Sequence, residues 1–217
     1  MRPYDVVLWD LDGTIMDSAP GIYQSFEHTF AKLGLDIPSR EELRTFLGPP
    51  LRSTFGEMLG FSDADTRRAI EIYREHYHSI GAFAGEPYPG VVDLVIESRS
   101  SGILSGLATS KAETAARLVT NHFGLDSLFD IYGCATDDDV RKTKSDVLDF
   151  VLTELGDRGV NRDRIVLVGD RIHDVEGAVE FGINCVLVEW GYGTAEEFAE
   201  AHGSVATVAE LRRFLGL

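Results

Sequence analysis

Cysteine, long apolar runs and positive charge are all scarce in this chain of 217 residues. The two cysteines, Cys134 and Cys185, lie within or beside apolar stretches and lack the spacing of a metal-ligating motif. We therefore expect them to be small buried residues in a reducing compartment. No apolar run approaches a membrane span, and Met1 leads almost directly into the first predicted strand, which leaves no room for a signal peptide. These absences predict a cytoplasmic protein.

The shortage of positive charge is large, with 20 Lys+Arg against 36 Asp+Glu and a formal net charge of -16. A protein this acidic repels nucleic-acid phosphates and anionic membrane surfaces, so we expect neither a nucleic-acid polymer nor a membrane as its partner. The charge also opposes a phosphate-bearing small molecule at long range. Any phosphate site must therefore be local, built from a metal ion, a lysine and backbone N–H groups.

The clearest motif present is VVLWDLDGT, residues 6–14. Its apolar start lacks polar alternation, which is typical of a strand buried on both faces of a parallel sheet. Asp10 should stand at the carboxyl end of that strand, where open α/β sheets bind ligands, with Asp12 two residues further on. Two carboxylates this close repel unless a cation lies between them, and Mg²⁺ suits that position. A strand end followed by a common Asp-Gly turn is the alternative, and this motif alone does not decide.

The remaining pattern divides the chain into a helical insertion and an alternating part. Residues 18–80 show helical spacing in four segments without a strand pattern, whereas strands and helices alternate afterwards. The sequence therefore predicts a Rossmann-like three-layer α/β/α core with a parallel sheet, and an inserted all-helical cap. We expect the core at residues 1–16 and 89–217 and the cap at 17–88. A block inserted directly after the first strand would hang over the mouth of the sheet, where a lid belongs.

Strands are predicted at 102–109, 131–135, 164–170 and 183–188, and two helical segments close the chain. If these strands are parallel, four polar clusters meet at one edge of the sheet: Asp10 with Asp12, Thr109 with Ser110, Lys142 or Lys144, and Asp170 with Asp174. Such a set is suited to phosphoryl transfer from a monoester. The first aspartate can attack phosphorus and the second can move protons, while Mg²⁺ screens nucleophile from phosphate.

These motifs resemble those of the haloacid dehalogenase superfamily, in its phosphatase branch with a helical cap. DLDGT is similar to the first motif of that superfamily, LATSK to the second, the lysine region to the third and VGDRIHD to the fourth, over essentially the whole chain. The resemblance implies that Mg²⁺ is the cofactor. It also implies these roles: Asp10 as nucleophile, Asp12 as acid/base with its backbone carbonyl on Mg²⁺, Thr109 with Ser110 and Gly13 as phosphate ligands, Asp170 as metal ligand, and Asp174 supporting the metal shell.

The motif lysine has two candidates. The usual KPxPD pattern selects Lys142, with Thr143 and Ser145 where its prolines usually stand. The form RxxKxxVI, found in some relatives, fits from Arg141 onward and selects Lys144. We favour Lys144, with Lys142 as the alternative.

Finer features resemble a group commonly labelled phosphoglycolate phosphatases or 5'-nucleotidases. In that group a GPPL turn faces the active site, which implies that Gly48 and Pro49 shape specificity and that Arg52 pairs with a substrate anion. The alternative is that this turn only connects two cap helices and that Arg52 is solvated. The predicted function is hydrolysis of small phosphate monoesters, by analogy nucleoside 5'-monophosphates, with phosphoglycolate as the alternative. A phosphomutase, a 2-haloacid dehalogenase and a non-catalytic phosphate-binding protein are less favoured.

Several other polar or aromatic residues receive plainer interpretations. We expect His173 to be solvated or to support the metal shell, since imidazole prefers softer metals than Mg²⁺. Asp137 to Asp139 should form a solvated loop, with a second metal site as the alternative. Trp190 and Tyr192 should pack on a glycine-rich turn rather than stack on a base, and Lys111 should cap a helix or remain in solvent.

Overall fold

A computed structural model describes residues 2–138, 140–156 and 159–217. It divides into two compact units: the core, Met1–Asp17 with Pro87–Leu217, and the helical unit, Ser18–Glu86. These bounds lie within two residues of those expected from the sequence. No helix in the described ranges is both long and apolar enough to cross a membrane.

The helical unit is built around the side chain of Phe26. Its ring is fully buried, and it contacts the rings of Phe46, Phe55 and Tyr73 at centroid distances of 5.1, 5.5 and 4.8 Å. The elements of this unit are α1 Ala19–Leu33, α2 Arg40–Thr45, a π-helical segment Ser53–Met58, α3 Asp63–Ser79 and a 3-10 turn Gly81–Phe83.

The sequence does not predict the type of one helix in this unit. The spacing of Leu51, Phe55, Met58 and Leu59 predicts a helix, and Ser53–Met58 is helical but of the π type, with the N–H of Leu59 donating to the Thr54 carbonyl at 3.1 Å. The wider turn still buries Phe55 completely. Apolar spacing over a single turn does not separate the two helix types, because both place these side chains on one face.

The core alternates strands and helices along the chain. The strands are β1 Val6–Trp9, β2 Met16–Asp17, β3 Glu86–Pro87, β4 Leu104–Ala112, β5 Ile131–Ala135, β6 Ile165–Gly169, β7 Asn184–Val188 and β8 Gly203–Val205, and the boundary between the two units falls within β3. The helices of the core are α4 Val91–Ser100, α5 Glu113–His122, α6 Lys144–Gly156, α7 Ile172–Phe181, α8 Ala195–Glu200 and α9 Val208–Phe214.

Six of these strands form one parallel sheet in the order β5-β4-β1-β6-β7-β8, which confirms the predicted α/β fold class. The sequence prediction missed β8, and it places only helical segments after β7. Three residues are too few to display strand alternation, and β8 forms because Val205 pairs with Val188 at the edge of the sheet.

The register aligns the ends of the central strands. Trp9 lies beside Leu107 of β4 and beside Val168 of β6, so the residues that follow these three positions emerge at one level. Below this edge, a buried apolar cluster joins β1, β6 and β7 to α6 and α7. Each large apolar side chain buried there contributes about 1.5–3 kcal/mol. This packing holds the ends of the central strands in their alignment. Cys134 and Cys185 are buried and free.

Candidate active site

Three buried carboxylates converge beyond the carboxyl ends of β1 and β6. Asp10 directly follows β1, and its N–H donates to the Val168 carbonyl at 2.9 Å, which extends the strand ladder. Asp170 directly follows β6, and Asp174 lies in the first turn of α7. One oxygen atom from each of the three aspartates lies within 4.8 Å of the other two. Among the described residues this is the single such cluster, and it joins parts of the chain that are far apart in sequence.

Lys144, the first residue of α6, lies against this cluster. Its Nζ is 2.9 Å from Asp10 Oδ1 and 2.7 Å from Asp174 Oδ1, and it donates to the Ala108 carbonyl at 2.6 Å. The side chain of Lys142 is exposed, and its backbone N–H donates to the carboxylate of Asp146 in the first turn of α6. The structure therefore brings Lys144, and not Lys142, together with the aspartates.

Burial and neighbouring charge shift the pKa values of these groups strongly. Burial raises the pKa of Asp10 to about 6, and Asp174 adds to the rise while Lys144 opposes it. Burial also raises the pKa of Asp170 well above its usual value, helped by the charges of Asp174 and Asp10. Burial alone would lower the pKa of Lys144, but the attraction of Asp10 and Asp174 outweighs it and raises that pKa. Three carboxylates and one ammonium leave an excess of buried negative charge.

The donor set fits a hard divalent cation. Asp170 is fully buried, and while its Oδ2 accepts the Tyr192 N–H at 2.7 Å, its Oδ1 has no hydrogen-bond partner in the structure. A buried carboxylate oxygen left without a partner is costly, and a cation among several carboxylates removes that cost. Oxygen ligands of this kind are those that Mg²⁺ prefers. Asp10 and Asp170 would hold the ion.

Asp174 is held differently from the other two aspartates. Its Oδ2 accepts the backbone N–H groups of Asp170 and Arg171, both at 3.1 Å, and its Oδ1 faces Lys144. Both oxygens are thus already engaged by protein groups. This arrangement suits a residue that fixes the backbone at the end of β6. Through that backbone, Asp174 would support the metal ligand Asp170 without binding the ion itself.

Glycines allow the backbone to approach Asp170 closely. Gly13 has a φ of +81°, and a Cβ there would lie 2.0 Å from Asp170 Oδ2. A Cβ on Gly191 would lie 2.6 Å from the same atom and 2.4 Å from the Gly13 carbonyl oxygen. The sequence interpretation selects Gly13 but misses Gly191. The signal for Gly191 was its place in the WGYG segment, which says nothing about proximity to Asp170.

Asp12 forms an ion pair with Lys111, a residue to which the sequence assigns no role in the site. Lys111 Nζ donates to both carboxylate oxygens of Asp12, at 3.0 and 2.7 Å, and the Lys111 side chain is only 7% exposed. The expectation that Lys111 caps a helix or remains in solvent is therefore wrong. Thr109 is buried and its Oγ1 accepts the N–H of Lys111 at 3.2 Å, while Ser110 is half-buried.

The aromatic residues after β7 make hydrogen bonds to the segment that follows β1. The Trp190 ring N–H donates to the Thr14 carbonyl at 3.1 Å, and the Tyr192 hydroxyl donates to Asp17 Oδ1 at 3.1 Å. Trp190 therefore binds the turn that follows β1, and Tyr192 binds β2.

The other polar residues singled out in the sequence lie outside the cluster. His173 is exposed and its Nδ1 is 3.3 Å from a Glu176 oxygen. Asp137 accepts hydrogen bonds from the N–H and hydroxyl of Thr114. Asp138 likewise takes local hydrogen bonds, and Asp139 lies outside the described residues.

The predicted specificity residues lie in the helical unit. Gly48 has a φ of +102° and, with Pro49, forms part of the turn between α2 and the π-helical segment. The side chain of Arg52 is exposed. Their role in substrate choice stays a prediction.

Comparisons with known proteins agree with these motifs. The pattern of a family described as "Haloacid dehalogenase-like hydrolase" matches residues 7–188. Tyrosine-protein kinase PtkA of Mycobacterium tuberculosis is 38% identical over 216 residues, which cover 98% of this chain and 72% of that protein. A 5'-nucleotidase of Pseudomonas aeruginosa is 33% identical over 98% of this chain and 96% of its own length. The crystal structure of a "predicted phosphatase" from Clostridium acetobutylicum has a TM-score of 0.90 at 31% identity over 99% of both chains. As the four motifs predicted, the chain belongs to the haloacid dehalogenase-like hydrolase family.

Proposed function

We propose that this chain is a Mg²⁺-dependent phosphatase that hydrolyses small phosphate monoesters through an aspartyl phosphate on Asp10. The observation that carries this proposal is the convergence of Asp10, Asp170, Asp174 and Lys144 at one sheet edge, where an unpartnered buried oxygen remains. The family match supports hydrolysis as the reaction. The two free buried cysteines support a reducing compartment, and we propose the cytoplasm.

The side chains divide the reaction between them. Asp10 attacks phosphorus, the bond to the leaving oxygen breaks, and Asp12 gives that oxygen a proton. Asp12 then takes a proton from water as the water attacks phosphorus, and the bond to Asp10 breaks, releasing inorganic phosphate. Thr109, Ser110 and the backbone at Gly13 hold the phosphate oxygens, while Lys144 offsets their charge. When bound, Mg²⁺ supplies the further positive charge that lets an anionic nucleophile meet an anionic ester.

For the substrate, we propose nucleoside 5'-monophosphates. The similarity to a 5'-nucleotidase along nearly the whole of both chains supports this choice, as do the GPPL and WGYG segments. Phosphoglycolate is the alternative that the same segments allow. A panel of phosphate esters assayed with and without Mg²⁺ separates the two, because the preferred class should show the higher kcat/KM.

Replacing the nucleophile tests the reaction itself. Asp10→Asn should abolish turnover of p-nitrophenyl phosphate with Mg²⁺, because an amide oxygen is a poor nucleophile. Asp149→Asn, the same change at an exposed position of α6, serves as the matched control and should keep wild-type turnover. Substantial activity surviving in Asp10→Asn would refute the nucleophile assignment.

A second candidate function follows from the similarity to a tyrosine-protein kinase. In that case Asp10 would attack the terminal phosphorus of ATP and release ADP. A tyrosine hydroxyl would then attack the phosphorus in place of water and lose its proton to Asp12, as the bond to Asp10 breaks. Incubation with a tyrosine peptide and ATP labelled on its terminal phosphate distinguishes hydrolysis from transfer to tyrosine. Labelled inorganic phosphate as the main product supports hydrolysis, whereas labelled phosphotyrosine supports transfer.

A further inference from the structure

Lys111 has no part in the reaction described so far, yet its ammonium contacts the Asp12 carboxylate directly. Both carboxylate oxygens of Asp12 accept from the same ammonium, at 3.0 and 2.7 Å. The side chain of Asp12 is 20% exposed and that of Lys111 is 7% exposed. An ion pair this sheltered holds a side chain more firmly than one at the surface, because water competes less for both partners.

A break in strand pairing places Lys111 there. β4 pairs with β5 up to Thr109 opposite Cys134, and the next pair is Ala112 opposite Ala135. Ser110 and Lys111 are therefore extra residues on the β4 side. Such a bulge bends a strand and redirects a side chain.

A hydrogen bond then fixes the redirected backbone. The Thr109 hydroxyl oxygen accepts the N–H of Lys111, so the predicted phosphate ligand and the lysine are locked together. The two lysines of the site consequently serve different carboxylates. Lys144 faces Asp10 and Asp174, whereas Lys111 faces Asp12.

We propose that Lys111 is a positioning residue for Asp12, and this inference rests on the proposed phosphatase function. Asp12 must bind a proton on one carboxyl oxygen before the first step, while the ammonium of Lys111 holds the other oxygen, and Asp12 passes that proton to the leaving oxygen. A group misplaced by about 1 Å can cost about 100-fold in rate, so a fixed carboxylate matters to the first step. The alternative is that Lys111 contacts the substrate phosphate directly.

The leaving group separates these roles. p-Nitrophenolate is a weak base that departs without a proton, whereas an alkoxide needs the acid. The value of kcat/KM reports the steps up to departure of the leaving group, so the later action of Asp12 on water does not enter. Lys111→Met should lower kcat/KM for an alkyl phosphate roughly 10- to 100-fold and that for p-nitrophenyl phosphate much less. Lys111→Arg should recover part of the loss, because it keeps the charge.

A double-mutant cycle completes the test. In an Asp12→Asn background, Lys111→Met should cause little further loss, because the group it positions is already disabled. Multiplied losses in the double variant, or equal losses for both esters, would overturn the proposal and indicate direct phosphate contact. Lys32→Met, at an exposed lysine of α1, is the matched control, and circular dichroism checks that all variants fold. Wild type that hydrolyses no ester, or an active Asp10→Asn, would instead overturn the phosphatase function and this inference with it.

Discussion

At the scale of single residues, Asp170 shows how a site can depend on atoms that take no part in its chemistry. Its carboxylate is enclosed by the Gly13 backbone, the Gly191 backbone and the Tyr192 N–H. Two glycines are needed because each backbone passes too close for a side chain. The Oδ1 atom of Asp170 has no hydrogen-bond partner and is therefore available to a cation.

Gly191→Ala tests this enclosure. The new methyl group would lie 2.5 Å from Asp170 Cβ and 2.4 Å from the Gly13 carbonyl oxygen, so the carboxylate must move. We expect a loss of about 1–3 kcal/mol in the free energy of unfolding and a higher Mg²⁺ concentration for half-maximal activity. Urea unfolding and a Mg²⁺ titration of the initial rate measure both effects.

Gly156→Ala is the matched control for that substitution. A Cβ at Gly156, the last residue of α6, meets nothing within 4 Å. We expect its stability and Mg²⁺ requirement to stay near wild type. Equal behaviour of the two variants would contradict the close packing of Gly191 on Asp170.

At the scale of elements, the sequence predicts what depends on long or strongly buried patterns. The run before Asp10 predicts a central strand, and the run before Asp170 predicts its neighbour in the sheet. Because both strands are parallel and in register, the meeting of their terminal aspartates follows from the sequence. The strand β8, the π-helical segment and the bulge in β4 could not be predicted, because none of them produces a distinct spacing of apolar residues. The contact between Lys111 and Asp12 went unpredicted for that reason.

Helix α6 carries a prediction of its own, since its first residue is Lys144. Lys144→Met leaves the buried carboxylates of Asp10 and Asp174 without their ammonium, and we expect a loss of about 3–5 kcal/mol in stability. Turnover should fall by about 100-fold or more, because charge stabilisation on the phosphate is lost. Lys142→Met changes an exposed side chain just before the helix, and it should keep both properties near wild type. Urea unfolding and steady-state kinetics compare the two, and a larger effect at Lys142 would reverse the assignment.

At the scale of the whole molecule, an acidic chain also places negative charge in its interior. The chain carries a formal net charge of -16, and the cluster buries three of its carboxylates together. Folding must therefore hold these groups against their mutual repulsion, with Lys144 as partial compensation. A divalent cation that binds the folded chain stabilises it by mass action, since the unfolded chain offers no such site. The protein should thus be stabilised by Mg²⁺, the ion of the proposed reaction.

The pH dependence of stability follows from the same cluster. The folded pKa of Asp10 is about 6, above its unfolded value of 3.8, and that of Asp170 is raised in the same direction. The folded chain therefore binds these protons more tightly, so stability is gained as the pH falls through about 6 and lost as it rises. In EDTA, the free energy of unfolding should increase from pH 7 to pH 5, and Asp10→Asn should show a smaller increase. Saturating Mg²⁺ should flatten the wild-type profile, because the bound ion favours the charged carboxylates. Urea unfolding at these pH values measures each profile, and a wild-type profile in EDTA that is flat or falls toward pH 5 would contradict the raised pKa values of the cluster.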